Sequence, residues 1–203
     1  MPVRIVVGIS GATGVIYGIR IMEILKELEV ETHLIISDAG KKNIELETGY
    51  EVARVEALAT EVHDICNVGA SISSGSFKTH GMIVAPCSIK SLSAIANSFN
   101  NNLLIRSADV TLKEKRKLVM IVRETPLHVG HLRLMTMVAE AGGVLLPPMP
   151  AFYNHPETLE DMIDQTAGKA LDQFGIEHNL FNRWYGTDSA RRRNKEALKR
   201  GLL

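Results

Sequence analysis

VRIVVGISGATGVIYGIR, residues 3–20, opens on β-branched residues, passes through Gly8, Gly11 and Gly14, and resumes as an apolar run compatible with a helix. That order predicts a strand, a glycine-rich turn and a helix. Such a turn gathers backbone N–H groups and a helix N-terminus at one point, a setting that favours an anion, most often a phosphate. The spacing G-x-x-G-x-x-G differs from the dinucleotide fingerprint G-x-G-x-x-G, and no lysine stands where a Walker A loop has one. The stretch points either to a nucleotide phosphate outside the usual NAD and ATP settings or to a tight strand–helix turn with no ligand. The residues of this stretch leave both readings open.

Outward from that turn, residues 31–37 (ETHLIIS) read as a second strand ending at Ser37 and Asp38. Residues 38–58 are compatible with helix, interrupted at Gly40 and Gly49, and residues 62–79 form a loop rich in serine and glycine. Residues 82–86 (MIVAP) are a short buried strand leading into Cys87, Ser88, Ile89, Lys90 and Ser91, with a helix over 91–97. A helix carrying Arg106 and Lys113 spans 103–113, and residues 117–122 (KLVMIV) are a buried strand ending at Arg123 and Glu124. Residues 128–141 are helical, residues 144–146 a short strand, and residues 156–174 a helix opened by proline and acidic residues. Alternating strands and helices predict a parallel sheet covered on both faces. Ligands of such sheets sit beyond the carboxyl ends of the strands. Four strand ends therefore converge on one edge: the glycine turn, Ser37, Ser88 to Ser91, and Arg123 with Glu124.

The 203 residues suit one α/β domain, 1–203, with a basic tail from about residue 186. Formal net charge is zero and aromatics are 5% of the chain, which disfavours nucleic acid as the main partner. Two cysteines form no disulfide framework, no signal peptide is legible, and no apolar run is long enough to span a bilayer, so a cytoplasmic setting is expected.

GISGATGVIYGIR, Ser37, ETGY (47–50), SGSF (74–77), VAPCSIKSL, NLLIRSADVTLKEKRKLVMIVRETPLH and LPPMPAFY occur in this order. Together they resemble the UbiX-type flavin prenyltransferases, once described as aromatic acid decarboxylases, over nearly the whole chain to Tyr185. The resemblance implies a three-layer α/β/α Rossmann-like flavoprotein with a parallel central sheet, FMN as the nucleotide, no metal, and a homododecamer. It implies transfer of a dimethylallyl group from dimethylallyl monophosphate to N5 and C6 of reduced FMN, making prenylated FMN for a UbiD-type decarboxylase. By similarity Gly11, Ala12, Thr13, Ser37, Ser88, Ile89, Lys90, Ser91 and Arg123 contact FMN. Arg106, Lys113, Arg123, Tyr153 and Lys169 hold the prenyl phosphate, Glu47 and Glu124 are the functional carboxylates, and Trp184 closes the site. Thr13 stands where the family often has serine, keeping the hydroxyl and adding a methyl. Asn101 stands where the family often has aspartate.

The chemistry of these residue types agrees with that reading. Breaking a C–O bond to an allylic phosphate builds charge on the leaving group, and fixed cations aimed there stabilise it. Arginine grips phosphate oxygens in pairs, and Arg123 ends an apolar strand, where a charge requires a reason. Ring closure at C6 needs a base for the departing proton, and Glu124 is the candidate. Glu160, Asp161 and Asp164 read as a solvated first turn of a helix rather than a magnesium cage. Cys87 reads as a packed thiol, and His128 with His131 lacks a third ligand. Two rivals remain: an FMN-dependent aromatic acid decarboxylase, and a non-catalytic flavin-carrier subunit.

Overall fold

The computed structural model describes residues 3–187, so the basic tail beyond lies outside the described residues. Six strands, β1 (Arg4–Ile9), β2 (Glu31–Ile36), β3 (Glu61–His63), β4 (Gly81–Cys87), β5 (Lys117–Val122) and β6 (Val144–Leu145), form one sheet in the order β3-β2-β1-β4-β5-β6. Every pairing is parallel, so all six carboxyl ends lie on one edge. The order reverses between β1 and β4, and their diverging connections open a crevice at that edge.

Side chains alternate across the strands and split the core in two. Ile5, Val7 and Ile9 of β1 pack with α1 (Val15–Glu27), with Ile44 of α2 (Asp38–Glu47), and with Ala167 and Leu171 of α7 (Leu159–Asp172). Val6 faces the other way with Met82 and Val84. It meets Leu92 of α4 (Ile89–Ala96), Leu104 of α5 (Leu103–Lys113) and Val138 of α6 (Val129–Glu140). Helices thus cover both faces of a parallel sheet, the three-layer arrangement expected. A short α3 (Val52–Glu56) and a 3₁₀ turn (Ser71–Ser73) complete the elements.

The long helix-compatible stretch 38–58 divides, because Thr48 leaves helical geometry at φ −134° and Glu51 starts a new cap. The loop expected over 62–79 begins with a strand instead. β3 extends the sheet by pairing His33, Leu34 and Ile35 with Glu61, Val62 and His63. The last helix starts at Leu159 rather than Pro156. Thr158 accepts the Asp161 N–H at 3.1 Å, while the Asp161 carboxylate accepts the Glu157 and Thr158 N–H groups at 2.8 and 2.9 Å. This capping box fixes the helix start.

α1 approaches β4 so closely at Gly18 that a Cβ there would collide with the Ala85 carbonyl oxygen and press on Ile9. Backbone cannot yield as a side chain can. Gly18→Ala is therefore expected to cost about 1–3 kcal/mol. The midpoint of urea unfolding reads that loss; an unchanged midpoint would show that α1 can retreat freely.

Candidate functional site

The edge at the switch point is built by hydroxyl side chains that stitch adjacent strand ends together. Ser10, 1% exposed, donates from Oγ to the Pro86 carbonyl at 2.8 Å and accepts the Ser88 N–H at 2.8 Å. It ties the end of β1 to the end of β4. Ser37 takes the first position after β2, with its N–H bonded to Ile9 O at 2.9 Å. Its Oγ accepts the Gly40 N–H at 3.0 Å and so caps α2. Ser88 does the same for α4: its Oγ accepts the Ser91 N–H at 3.2 Å and donates to Ser91 Oγ at 3.1 Å. Arg123 is anchored through its backbone N–H to Cys87 O at 3.1 Å, placing it beside the start of the Ser88 turn.

The glycine turn is held from α2. Asn43 donates to Ala12 O at 3.0 Å, and the Glu47 carboxylate accepts the Gly14 N–H at 2.7 Å. Gly14 caps α1 in a left-handed conformation, φ 90°, that L residues seldom adopt. Glu47 therefore supplies the anion at the N-terminus of α1. Other N–H groups on the edge are without an acceptor among the described residues. The N–H groups of Gly11 and Thr13 make no hydrogen bond among the described residues. Those of Ile89 and Lys90 open α4, where no intrahelical acceptor exists. The half-buried Arg123 guanidinium also has no hydrogen bond or ion pair among the described residues. Burial raises the Tyr17 hydroxyl above its ordinary pKa, and nearby Arg123 opposes that rise, which places Tyr17 by this edge as well.

An anion with a partly apolar extension fits these features. Orphan N–H donors and an unpaired guanidinium are groups of the kind that bind a phosphate. Beyond the first turn of α4 lies a cavity of about 470 Å³ between α4 and α5, lined by Lys90, Ser91, Ala94, Phe99, Asn102 and Ile105. A flavin nucleotide matches both parts of that description. Ser10, Asn43 and Tyr17 were not singled out by sequence; a hydroxyl immediately after a strand and before a glycine turn was the signal for Ser10.

The other expected residues divide by position. Glu124, exposed, stands on the site edge and accepts the Thr125 N–H at 3.0 Å, forming no pair with Arg123. Arg106 lies one turn into α5, donating from Nε to Ser73 O at 3.2 Å and pairing with Asp109 at 3.1 Å. Lys113 ends α5 just before β5 begins, on the opposite edge of the sheet, and pairs with Glu114. Lys169 is also on that far side: it pairs with Asp172 at 3.7 Å, and Phe174, shortly after, meets Gly81 at the start of β4. Within one chain neither lysine joins the edge. Tyr153 and Trp184 meet edge to face at 6.2 Å, both exposed, in the segments after β6 and after α7.

The residues weighed as alternatives are occupied by structure. Burial pushes the Cys87 thiol up to about 12, so it is not a nucleophile at neutral pH. His128 caps α6, its Nδ1 accepting the Gly130 N–H at 3.0 Å. Asp161 forms the capping box, and Asp164 holds Arg20 at 2.6 Å.

Comparison with known proteins agrees with this fold. The Flavoprotein family matches residues 1–169. A flavin prenyltransferase UbiX of Thauera aromatica is 63% identical over 185 residues, covering 91% of this chain and 95% of that protein. The crystal structure of AnUbiX (PadA1) in complex with FMN and dimethylallyl pyrophosphate superposes with a TM-score of 0.90 at 48% identity, over 92% of this chain and 100% of that one. A dodecameric FMN-dependent UbiX-like decarboxylase from Escherichia coli O157:H7 gives 0.88 at 48% identity, over 90% and 100%.

Proposed function

The chain belongs to the Flavoprotein family and, within it, to the UbiX-type flavin prenyltransferases, and we propose that it transfers a dimethylallyl group from a dimethylallyl phosphate to reduced FMN. One observation carries this reading. The strand ends at the β1–β4 switch point bring the Gly11, Thr13, Ile89 and Lys90 N–H groups to the same sheet edge as Arg123, whose guanidinium has no hydrogen bond or ion pair among the described residues. FMN supplies the nucleophilic ring positions, N5 and C6, and is itself the acceptor. Gly11, Ala12, Thr13, Ser37, Ser88, Ile89, Lys90 and Ser91 hold it at the edge they share.

Arg123 faces phosphate charge with a rigid fork of donors and needs no reorganisation as the leaving group forms. Glu124, beside it, receives the ring proton, with the released phosphate as final acceptor. Glu47 fixes the glycine turn through Gly14. Tyr153 and Lys169, with Arg106 and Lys113, complete the prenyl-phosphate pocket when further copies of the chain bring them to the edge, and Trp184 covers it.

A closed oligomer, a dodecamer like the E. coli neighbour, follows from that requirement. Its surface signature is present. α6 buries only Val138, while Val129, Leu132 and Met137 face outward, and Met149, Phe152 and Leu159 extend the apolar surface. The product, prenylated FMN, goes to a UbiD-type decarboxylase. Among the described residues no helix is long and apolar enough to cross a membrane, and two free thiols fit a cytoplasmic setting.

FMN is expected to bind far more tightly than FAD or NAD, because the orphan donors and Arg123 offer one phosphate cradle and no pyrophosphate loop. Titration with the three nucleotides checks this; tight FAD or NAD binding with weak FMN binding would overturn it. The E. coli neighbour is described as a decarboxylase, and turnover with dimethylallyl phosphate separates that chemistry from prenyl transfer.

A further inference from the structure

The β3 side of the sheet carries a side-chain cluster that prenyl transfer leaves unused. His33 on β2 stands in register opposite Glu61 on β3, and His63 follows two residues later, so all three side chains leave the same face. His33 and His63 are 2% and 7% exposed, and their rings stack at 5.2 Å. Nδ1 of His33 lies 2.9 Å from Nε2 of His63. The Glu61 carboxylate straddles the pair, Oε2 at 3.4 Å from Nδ1 of His33 and Oε1 at 3.6 Å from Nδ1 of His63. Among the described residues this is the one group of three such side chains whose ligand atoms all fall within 4.8 Å.

Counting protons shows what the cluster lacks. Nε2 of His33 faces Glu31 Oε1 at 3.2 Å, and Arg4 Nε donates to the same oxygen at 2.6 Å. A carboxylate only accepts, so in the neutral tautomer that this contact selects, the ring proton of His33 is on Nε2 and Nδ1 keeps a lone pair. That lone pair points at Glu61 and at His63. A neutral His63 has one N–H and can serve His33 or Glu61, never both. With its N–H turned to His33, His63 leaves its Nδ1 facing the Glu61 carboxylate, acceptor to acceptor at 3.6 Å, and one positive centre among the three side chains would satisfy both.

We propose that His33, His63 and Glu61 bind a divalent transition-metal ion of the zinc class. Two histidines and a carboxylate are a zinc donor set, and nitrogens sharing a tetrahedral zinc stand about 3.3 Å apart, close to the spacing here. The surroundings match a metal site's outer layer. A ligand histidine donates its other N–H to a carboxylate, and that carboxylate is itself pinned. Glu31 and Arg4 fill those two roles and cancel in charge, so Glu61 leaves the pocket with net negative charge for a cation. Phe77 closes one side, edge-on to His33 at 5.1 Å, and the half-exposed Glu61 leaves an entry. The ion clamps the three-residue edge strand β3, through its first and last residues, to β2, using side chains that prenyl transfer does not.

The test uses the full chain without a tag, stripped by chelator, and titrated with Co²⁺ followed by visible absorbance and with Zn²⁺ by calorimetry. Saturable binding of one ion per chain is expected, with a rise in melting temperature as the ion binds only the folded state. His63→Gln should abolish it. Glu61→Gln, at an exposed position that tolerates the change, should weaken it at least tenfold, and Glu31→Gln by roughly 10–100-fold. His131→Gln, in the other histidine pair, should leave it intact. Absence of saturable binding, or binding that survives both His63→Gln and Glu61→Gln, overturns the proposal.

Discussion

Arg123→Ala is expected to lower the rate of prenyl transfer by roughly 10²–10³-fold while leaving the fold intact. The guanidinium has no hydrogen bond or ion pair among the described residues, so its removal strands no buried partner. The backbone N–H that ties residue 123 to Cys87 O survives the substitution. What disappears is the cation at the carboxyl end of β5, proposed above to stabilise the leaving phosphate. Arg123→Lys should recover part of the rate, because it restores charge without the planar fork. Initial rates, FMN affinity and thermal unfolding of the three proteins separate binding from chemistry. Activity within about threefold of the unsubstituted chain for Arg123→Ala would remove Arg123 from the transition state.

Glu124→Gln should act on a different step. The amide keeps the size of the carboxylate and can still accept the Thr125 N–H, so shape and FMN affinity should hold. It cannot take a proton. Losing a positioned base typically costs 10²–10⁴-fold in the step it serves. The expected result is flavin carrying the mass of one prenyl unit but lacking the absorbance of the closed ring. Finished product at undiminished rates would leave the released phosphate as the sole base.

Residues 3–20 were legible because strand, glycine turn and helix are each dictated by local chemistry, whereas the helix read over 91–97 begins at Ile89, because Ser88 caps it. β3 was hidden: three residues, Glu61, Val62 and His63, give too short a run for alternation to register, and their strand geometry comes from pairing with β2. The start of α7 was misread because Pro156 is the louder signal, although Thr158 and Asp161 set the boundary. The site was legible where residues sit directly at strand ends, as Arg123 does. Lys113 and Lys169 could not be placed, since sequence spacing does not reveal which edge of the sheet a helix end reaches. Ser10 and Asn43 escaped because their roles are long-range bonds, to Pro86 and Ser88 and to Ala12.

The most direct measurement is the mass of the flavin after anaerobic incubation of the full chain with reduced FMN and dimethylallyl monophosphate. Prenyl transfer predicts FMN heavier by one C₅ unit, formed with stoichiometric inorganic phosphate and absent when the donor is omitted. Unaltered FMN under the same conditions, with the donor intact, would contradict it.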